Sequence, residues 1–579
     1  MTRAHGLILI GFLAGCGGHR ASAPSPVAEP VIDSLVAGLS TRQQVAQLVM
    51  PWLGGHYAAV DESTFVIATR WVDSLELGGI IISVGSPYDV AAKLNALQRR
   101  SRLPLLISAD LEWGAGMRLV GATAFPMMMA VGATGRPEDA YAVGRAAAIE
   151  GRAAGIHVNF APDADVNNNP LNPIINTRSF GEDPALVSRL VQAYVRGIQD
   201  NGMLATLKHF PGHGDTETDS HIALPVLRAD YPRLDSLELV PFRAGIDAGA
   251  GVVMSAHMAV PALTGGNEPG TMSAAVMTGV LRDSLKFRGI VVTDALVMGA
   301  IVAQYGAGEA TVRAFEAGAD LLLMPADPDS AVDALAAAVE SGRISRARLE
   351  TSLRRLLQAK LELGLFRRRT VALDSIAAVI GSRRFQDLAD DLAVRALTLV
   401  RDTAETLAAL RAKPSRFALI AYADEFNASF GQQLTGWLRQ LGDTVDFFRL
   451  WPMSGPLSYD SARAVVARSS RVVFASSVRP IAWRGNIALP DSLARLVMAT
   501  DSVRPTVLVS FGSPYLLTQT PTVKSYLLAW SAVRSSEKAV ALALAGRVAI
   551  GGHLPIRIPP GYGVGHGLSL DLPPGAGAR

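Results

Sequence analysis

Gly251-Val252-Val253-Met254-Ser255-Ala256-His257, a helical stretch over Ser273–Lys286, and then Gly289-Ile290-Val291-Val292-Thr293-Asp294 form the segment on which the fold turns. Each flanking run is apolar without alternation and rich in β-branched residues, as a strand covered on both faces requires. The stretch between them repeats apolar residues at intervals of three and four, so it reads as a helix with one face against a sheet. Both runs end on a polar residue, His257 and Asp294. Strand, helix and a further buried strand make the βα unit of a parallel sheet.

The same unit recurs on either side. Strand-like runs fall at Gln47–Leu53, Gly79–Ser83, Leu103–Ala109, His157–Pro162, Met203–Phe210, Gly251–His257, Gly289–Thr293 and Ala319–Met324. Helical periods fall at Ala140–Ala154, Ala185–Asp200, Leu234–Ala248, Ser273–Lys286 and Glu309–Ala317. Eight units in about 300 residues predict an α/β fold, a closed (β/α)8 TIM-like barrel over residues 40–365. An open doubly wound sheet would want a glycine-rich phosphate loop after its first strand, and Leu53-Gly54-Gly55-His56 is not one. Helices at Leu349–Leu363 and Leu388–Ala396 lead through a linker, 366–398, into a second series of strands at Phe417–Tyr422, Val445–Leu450, Arg471–Ser476, Thr506–Phe511 and Tyr526–Ala529. These predict a smaller α/β sandwich domain over 399–572, with a tail at 573–579.

Composition narrows the function. The chain has 579 residues, 49% hydrophobic and 18% charged, the balance of an ordinary globular protein. A net charge of +3 with scattered basic residues offers no stripe for a phosphate backbone, so nucleic acid is not expected as a partner. The one cysteine, Cys16, excludes an intrachain disulfide and a thiolate metal cluster. It follows a short apolar run, Gly6–Ala14, about half the length that spans a bilayer as a helix. Leu13-Ala14-Gly15-Cys16 resembles the bacterial lipobox. That resemblance implies a signal peptide over 1–15, a lipid on Cys16, a polar tether over 16–39 and a membrane-anchored, extracytoplasmic protein. Gly17 after the cysteine resembles lipoproteins sorted to an outer membrane.

Polar residues recur at the carboxyl ends of the barrel runs, where such folds place their chemistry. They are Asp110 and Glu112, Asp163 and Asp165, Lys208 and His209, His257, and Asp294. The most specific stretch is Lys208-His209-Phe210-Pro211-Gly212-His213-Gly214-Asp215, followed by Thr218-Asp219-Ser220-His221. Histidines and aspartates at such spacing can ligate a metal, but Lys208 puts a fixed cation beside them, so neither a metal nor another cofactor is expected.

These stretches, with Val291-Val292-Thr293-Asp294-Ala295-Leu296-Val297-Met298, Asp110-Leu111-Glu112 with Gly114 and Arg118, and Asn176-Thr177-Arg178-Ser179-Phe180-Gly181-Glu182-Asp183-Pro184, resemble glycoside hydrolase family 3, in its β-N-acetylglucosaminidase branch. The resemblance spans most of 40–365 and continues into the second region. It implies that Asp294 is the nucleophile, that Asp219 and His221 form the general acid/base dyad, and that Asp110, Arg178, Lys208 and His209 hold the sugar. Trp113 departs from the branch, which usually carries two glycines after the glutamate, and a tryptophan there would reshape the rim of the sugar pocket. The implied activity is a retaining exo-β-N-acetylglucosaminidase acting on amino-sugar oligosaccharides, either peptidoglycan fragments or chitin oligomers. A β-N-acetylglucosaminide phosphorylase, a glucosidase of the same family and a catalytically inactive wall-binding lipoprotein are the alternatives.

The residues agree with those roles. Retention needs a nucleophile on one face of the anomeric carbon and a proton donor by the leaving oxygen. Asp294 ends a stiff β-branched strand, and histidine titrates near neutrality, so His221 can give a proton and take it back while Asp219 orients the ring.

Overall fold

The computed structural model describes residues 28–411, 416–481, 483, 484 and 487–573; the expected signal peptide and the first half of the tether, Cys16 included, lie outside them. No helix among the described residues is long and apolar enough to cross a membrane.

The first part is a parallel barrel. Its strands in chain order are β1 (Val49–Met50), β2 (Trp52–Leu53), β3 (Gly79–Ile82), β4 (Leu106–Ala109), β5 (Val158–Asn159), β6 (Leu204–Phe210), β7 (Val252–Ser255), β8 (Ile290–Thr293) and β9 (Leu322–Leu323). Strands β2 to β8 are neighbours in sequence order, all parallel. Closure comes from β9, which pairs with β1 and bridges β8 through Val292 and Leu321. Only Pro51 separates β1 from β2, and its carbonyl accepts from Ile81. The two short strands are therefore one interrupted stave, and the eight expected runs are the eight staves. In β3, β4, β7 and β8 every residue is buried, which is why these runs do not alternate.

The second sheet contains β10 (Thr398–Asp402), β11 (Arg416–Tyr422), β12 (Thr444–Leu450), β13 (Val472–Ser476), β14 (Thr506–Ser510) and β15 (Ser525–Leu528), in the order β10-β15-β14-β13-β11-β12. Alternate residues of one strand enter two cores. Ala418, Ile420 and Tyr422 join the core continuous with the barrel, whereas Phe417, Leu419 and Ala421 join a separate one with Phe430, Leu434 and Val540. Helices on both faces make the sandwich.

Two readings need correction. The helix expected over Leu234–Ala248 is two, Tyr231–Ser236 and Leu239–Asp247. Pro241 has no N–H to donate to the carbonyl of Leu237 and its ring would strike it, so the chain breaks there. β10 is a strand the sequence reading does not include: it pairs antiparallel with β15 through a bulge between Leu399 and Arg401.

Lys360, on the helix Arg346–Glu362, is buried under the barrel with Gln47 Oε1 at 2.9 Å as its hydrogen-bond acceptor. Burial pushes its ammonium down from 10.5 to about 7. The folded protein then binds fewer protons than the unfolded chain between those values, so this residue makes stability rise with pH across that window. Lys360→Met should stabilise the fold by roughly 2 kcal/mol at about pH 7, with the gain shrinking toward pH 10; urea midpoints of the two proteins at both pH values check it.

Candidate active site

The carboxyl ends of the staves open into one cavity of about 670 Å³, lined by Asp110, Arg178, Lys208, His209, His221 and Asp294 among others. Six of the seven residues expected at the site thus face the same space. The seventh, Asp219, lies directly behind His221.

Asp294 follows β8. Its N–H donates to Ser255 O on β7 at 3.1 Å, and its Oδ1 accepts from the next N–H, Ala295, at 2.7 Å. His257, at the end of β7, bonds Ala295 O through Nε2 at 3.1 Å and so steadies that peptide. Burial alone would raise the Asp294 carboxyl, but His209, His257 and the Ala295 N–H outweigh it and hold the group below its ordinary value. A carboxylate on a packed strand end, ionised at neutral pH, is equipped to attack.

A charge cluster fills the floor. Lys208, on β6 and 2% exposed, places Nζ 2.7 Å from Glu112 Oε1, 3.2 Å from Asp110 Oδ1 and 3.7 Å from Asp163 Oδ1. Arg178 holds Glu112 with two bonds, Nε to Oε2 at 3.0 Å and Nη2 to Oε1 at 2.9 Å, and sets Nε 3.2 Å from Asp163. It projects from a single turn, Asn176–Arg178, whose first residue is held at φ 43° by Asn167 Oδ1 accepting its N–H. Burial would raise Glu112, yet Arg178 and Lys208 drive it far below the usual carboxylate range. Asp163 goes the other way: burial, with Glu112 adding to it, pushes it up to about 7 against the pull of Arg178 and Lys208. Asp110 is shared between Lys208 and Arg118, whose Nη2 is 2.8 Å away, and leaves part of its side chain facing the cavity.

His209 stands beside this cluster. Its Nδ1 bonds Asp165 Oδ2 at 2.8 Å, and Asp165 also accepts the N–H groups of His209 and His213. Burial would lower the His209 imidazole, but Asp165 more than reverses this, so the ring is held above its usual value. Asp163, Asp165 and His209 bring ligand-type atoms within 4.8 Å of one another. Arg178 and Lys208 already supply positive charge there and the lone pairs of Asp165 are engaged, so these residues do not fit a resident metal ion.

The dyad sits on the loop after β6. Asp219 Oδ1 accepts from His221 N at 2.9 Å and lies 2.8 Å from His221 Nδ1, which leaves Nε2 to face the cavity. The Asp219 side chain is fully buried while that of His221 is 26% exposed. Burial would raise the Asp219 carboxyl, and its bonds to the His221 ring and N–H bring it below its ordinary value, so it stands as a carboxylate against the ring.

Trp113, expected at the rim of the pocket, lines the cavity, and Gly114 behind it has φ 98° with Thr123 O only 2.6 Å from where a Cβ would sit, so this turn admits glycine alone. Arg479, Pro480, Ile481 and Trp483 reach in from the second sheet's loops. They lie more than 250 residues beyond the dyad in sequence and carry no motif; only the fold brings them here.

The glycosyl hydrolase family 3 N-terminal domain matches residues 40–359. Among relatives, β-hexosaminidase A of Pseudoalteromonas piscicida is 36% identical over 364 residues, 57% of this chain and 60% of its own length. A β-N-acetylglucosaminidase/β-glucosidase of Cellulomonas fimi is 30% identical over 506 residues, 83% of this chain and 88% of that one. The solved structure of a family 3 β-N-acetylglucosaminidase from Paenibacillus sp. str. FPU-7 superimposes with a TM-score of 0.82 at 35% identity, over 90% of this chain and 99% of that one.

Arg178→Met would leave two buried carboxylates to a single lysine. Removing one partner of a buried pair costs about 3–5 kcal/mol, so the urea midpoint should fall accordingly at neutral pH. The deficit should narrow at about pH 5, where Asp163 is protonated.

Proposed function

The chain belongs to glycoside hydrolase family 3, and from that premise we propose that it is a retaining exo-β-N-acetylglucosaminidase removing terminal GlcNAc from peptidoglycan fragments or related β-linked amino-sugar oligomers. The observation that carries the reading is the pairing, across one cavity, of an ionised strand-end carboxylate with a carboxylate-backed histidine. The relatives' names support the amino sugar.

In this mechanism an Asp294 carboxylate oxygen attacks the anomeric carbon as its bond to the leaving oxygen breaks. The imidazolium of His221 gives its Nε2 proton to that oxygen, and Asp219 stabilises the charged ring beforehand. Water then attacks the glycosyl ester, neutral His221 takes the water's proton, and Asp294 is released with configuration retained. Arg178, Lys208 and His209 direct donors at the sugar's hydroxyls while Asp110 accepts from one, and their mutual ion pairs keep them in place before substrate arrives. Hydrolysis, rather than transfer to phosphate, is part of the reading: release of free GlcNAc unchanged by added phosphate supports it, and sugar 1-phosphate would replace it with phosphorolysis.

Asp294→Asn keeps the shape and loses the charge. Turnover of a chromogenic N-acetylglucosaminide should drop by roughly 10³-fold or more, and a slow fluorosugar should label the wild-type peptide containing Asp294. Label on a different carboxylate would overturn the assignment.

The lipobox-like Leu13-Ala14-Gly15-Cys16 supports attachment to a membrane through Cys16, outside the cytoplasm. Cys16→Ser should move activity from the membrane to the soluble fraction without changing its kinetics; wild-type enzyme that fractionates as soluble and unlipidated would exclude the anchor.

A further inference from the structure

Asp219 has two oxygens and divides them. Oδ1 serves His221, as described, and Oδ2 accepts the backbone N–H of Trp483 at 2.8 Å. Trp483 belongs to the segment after β13 in the second sheet, so a carboxylate rooted in the barrel is completed by a donor from outside it. Three further features make this contact specific. The indole lies against the His221 ring, 5.4 Å between centroids at 60°, so one residue touches both members of the dyad. Trp483 has φ 74°, a left-handed conformation that a non-glycine residue rarely adopts. The segment is also tied to the second sheet. Arg479 Nε is 3.2 Å from Asp424 Oδ2, Arg484 pairs with Glu425, and its guanidinium lies over Phe426. Asp424, Glu425 and Phe426 directly follow β11.

We infer that Trp483 is a positioning residue for the acid/base dyad: its N–H fixes the Asp219 carboxylate, its indole fixes the plane of His221, and the second sheet holds it in place through Asp424 and Glu425. The inference rests on the dyad's role in the proposed function. Asp219 is fully buried, so without the Trp483 N–H one oxygen would have no partner in a place water does not easily reach. The carboxylate would turn to satisfy itself and carry the imidazole off its line. Asp294 is held by β7 and β8 and does not depend on this contact. Losing either the N–H to Asp219 or the ring against His221 therefore harms proton delivery more than nucleophilic attack.

The test compares a leaving group that needs protonation with one that does not: chitobiose against 2,4-dinitrophenyl N-acetyl-β-glucosaminide. Trp483→Ala, which keeps the N–H and removes the indole that sets the plane of His221, should lower kcat/KM on chitobiose by about tenfold or more, with the loss in kcat, and on the activated glycoside by at most about threefold. Asp424→Asn with Glu425→Gln, which leaves the tryptophan in place and releases its tether, should give a milder form of the same pattern. Trp483→Phe, which keeps a ring against His221, should restore most of the chitobiose activity. In a His221→Ala background, where there is no ring to orient, Trp483→Ala should add nothing further. Equal losses on both substrates, losses confined to KM, or full additivity with His221→Ala would each overturn the inference. Wild-type enzyme that released GlcNAc from neither substrate would instead sink the function on which it rests.

Discussion

The barrel mouth is organised around Lys208. Its ammonium is almost fully buried and has three carboxylates within 3.7 Å, from Asp110, Glu112 and Asp163. A charge taken out of water is tolerable only if its partners are already in place. Here the charges come from three neighbouring staves: Asp110 and Glu112 from beyond β4, Asp163 from beyond β5, Lys208 from β6 itself. The cluster can form only once those staves have paired. Arg178 then neutralises the excess negative charge, and its fork on Glu112 fixes a loop with little regular structure of its own. The donors and acceptors at the cavity floor have their orientation settled by folding, so little ordering remains to oppose the binding of a ligand there.

The same cluster explains why neighbouring carboxylates differ in charge. Glu112 has two cations at bonding distance and stays ionised; Asp163 shares those cations at longer range, lies close to Glu112 and is pushed up to about 7. Its two oxygens have ion-pair contacts but no well-directed hydrogen bond. Asp165 holds the His209 imidazole above its ordinary value. His209 in turn helps hold the Asp294 carboxyl below its own, so the electrostatics run from the floor of the cavity to the strand-end carboxylate.

How much of this was legible in the sequence depends on the range of the forces involved. Strand runs such as Gly289–Thr293 declare themselves, because a stave buried on both faces must be apolar throughout, and the residue after it must face the mouth. Asp294, Lys208 and His209 follow from that rule. The closeness of Asp219 to His221 follows from two-residue spacing, and the bond of 2.8 Å bears it out. Arg178 does not follow from any periodicity: it sits on a three-residue turn, and only resemblance to a family pointed to it. The break at Pro241 was written in the sequence and overridden by an otherwise continuous apolar period. β10 was obscured because its buried run is only Thr398–Val400, after which the bulge and the charged pair Arg401-Asp402 break any period.

Trp483 marks the limit of local reading and also shows how the parts of the active site differ in kind. Asp294, Asp110, Lys208 and His209 stand on or beside staves of the barrel, whose positions are over-determined by packing. Asp219 and His221 stand instead on the loop after β6, and a loop carries little packing of its own. Holding the loop at Asp219 from the second sheet supplies the missing constraint without building a rigid wall, since a single N–H and one ring contact leave His221 partly exposed. Substrate can then enter beside a histidine oriented from behind, and the second sheet has a physical reason to pack on this face of the barrel.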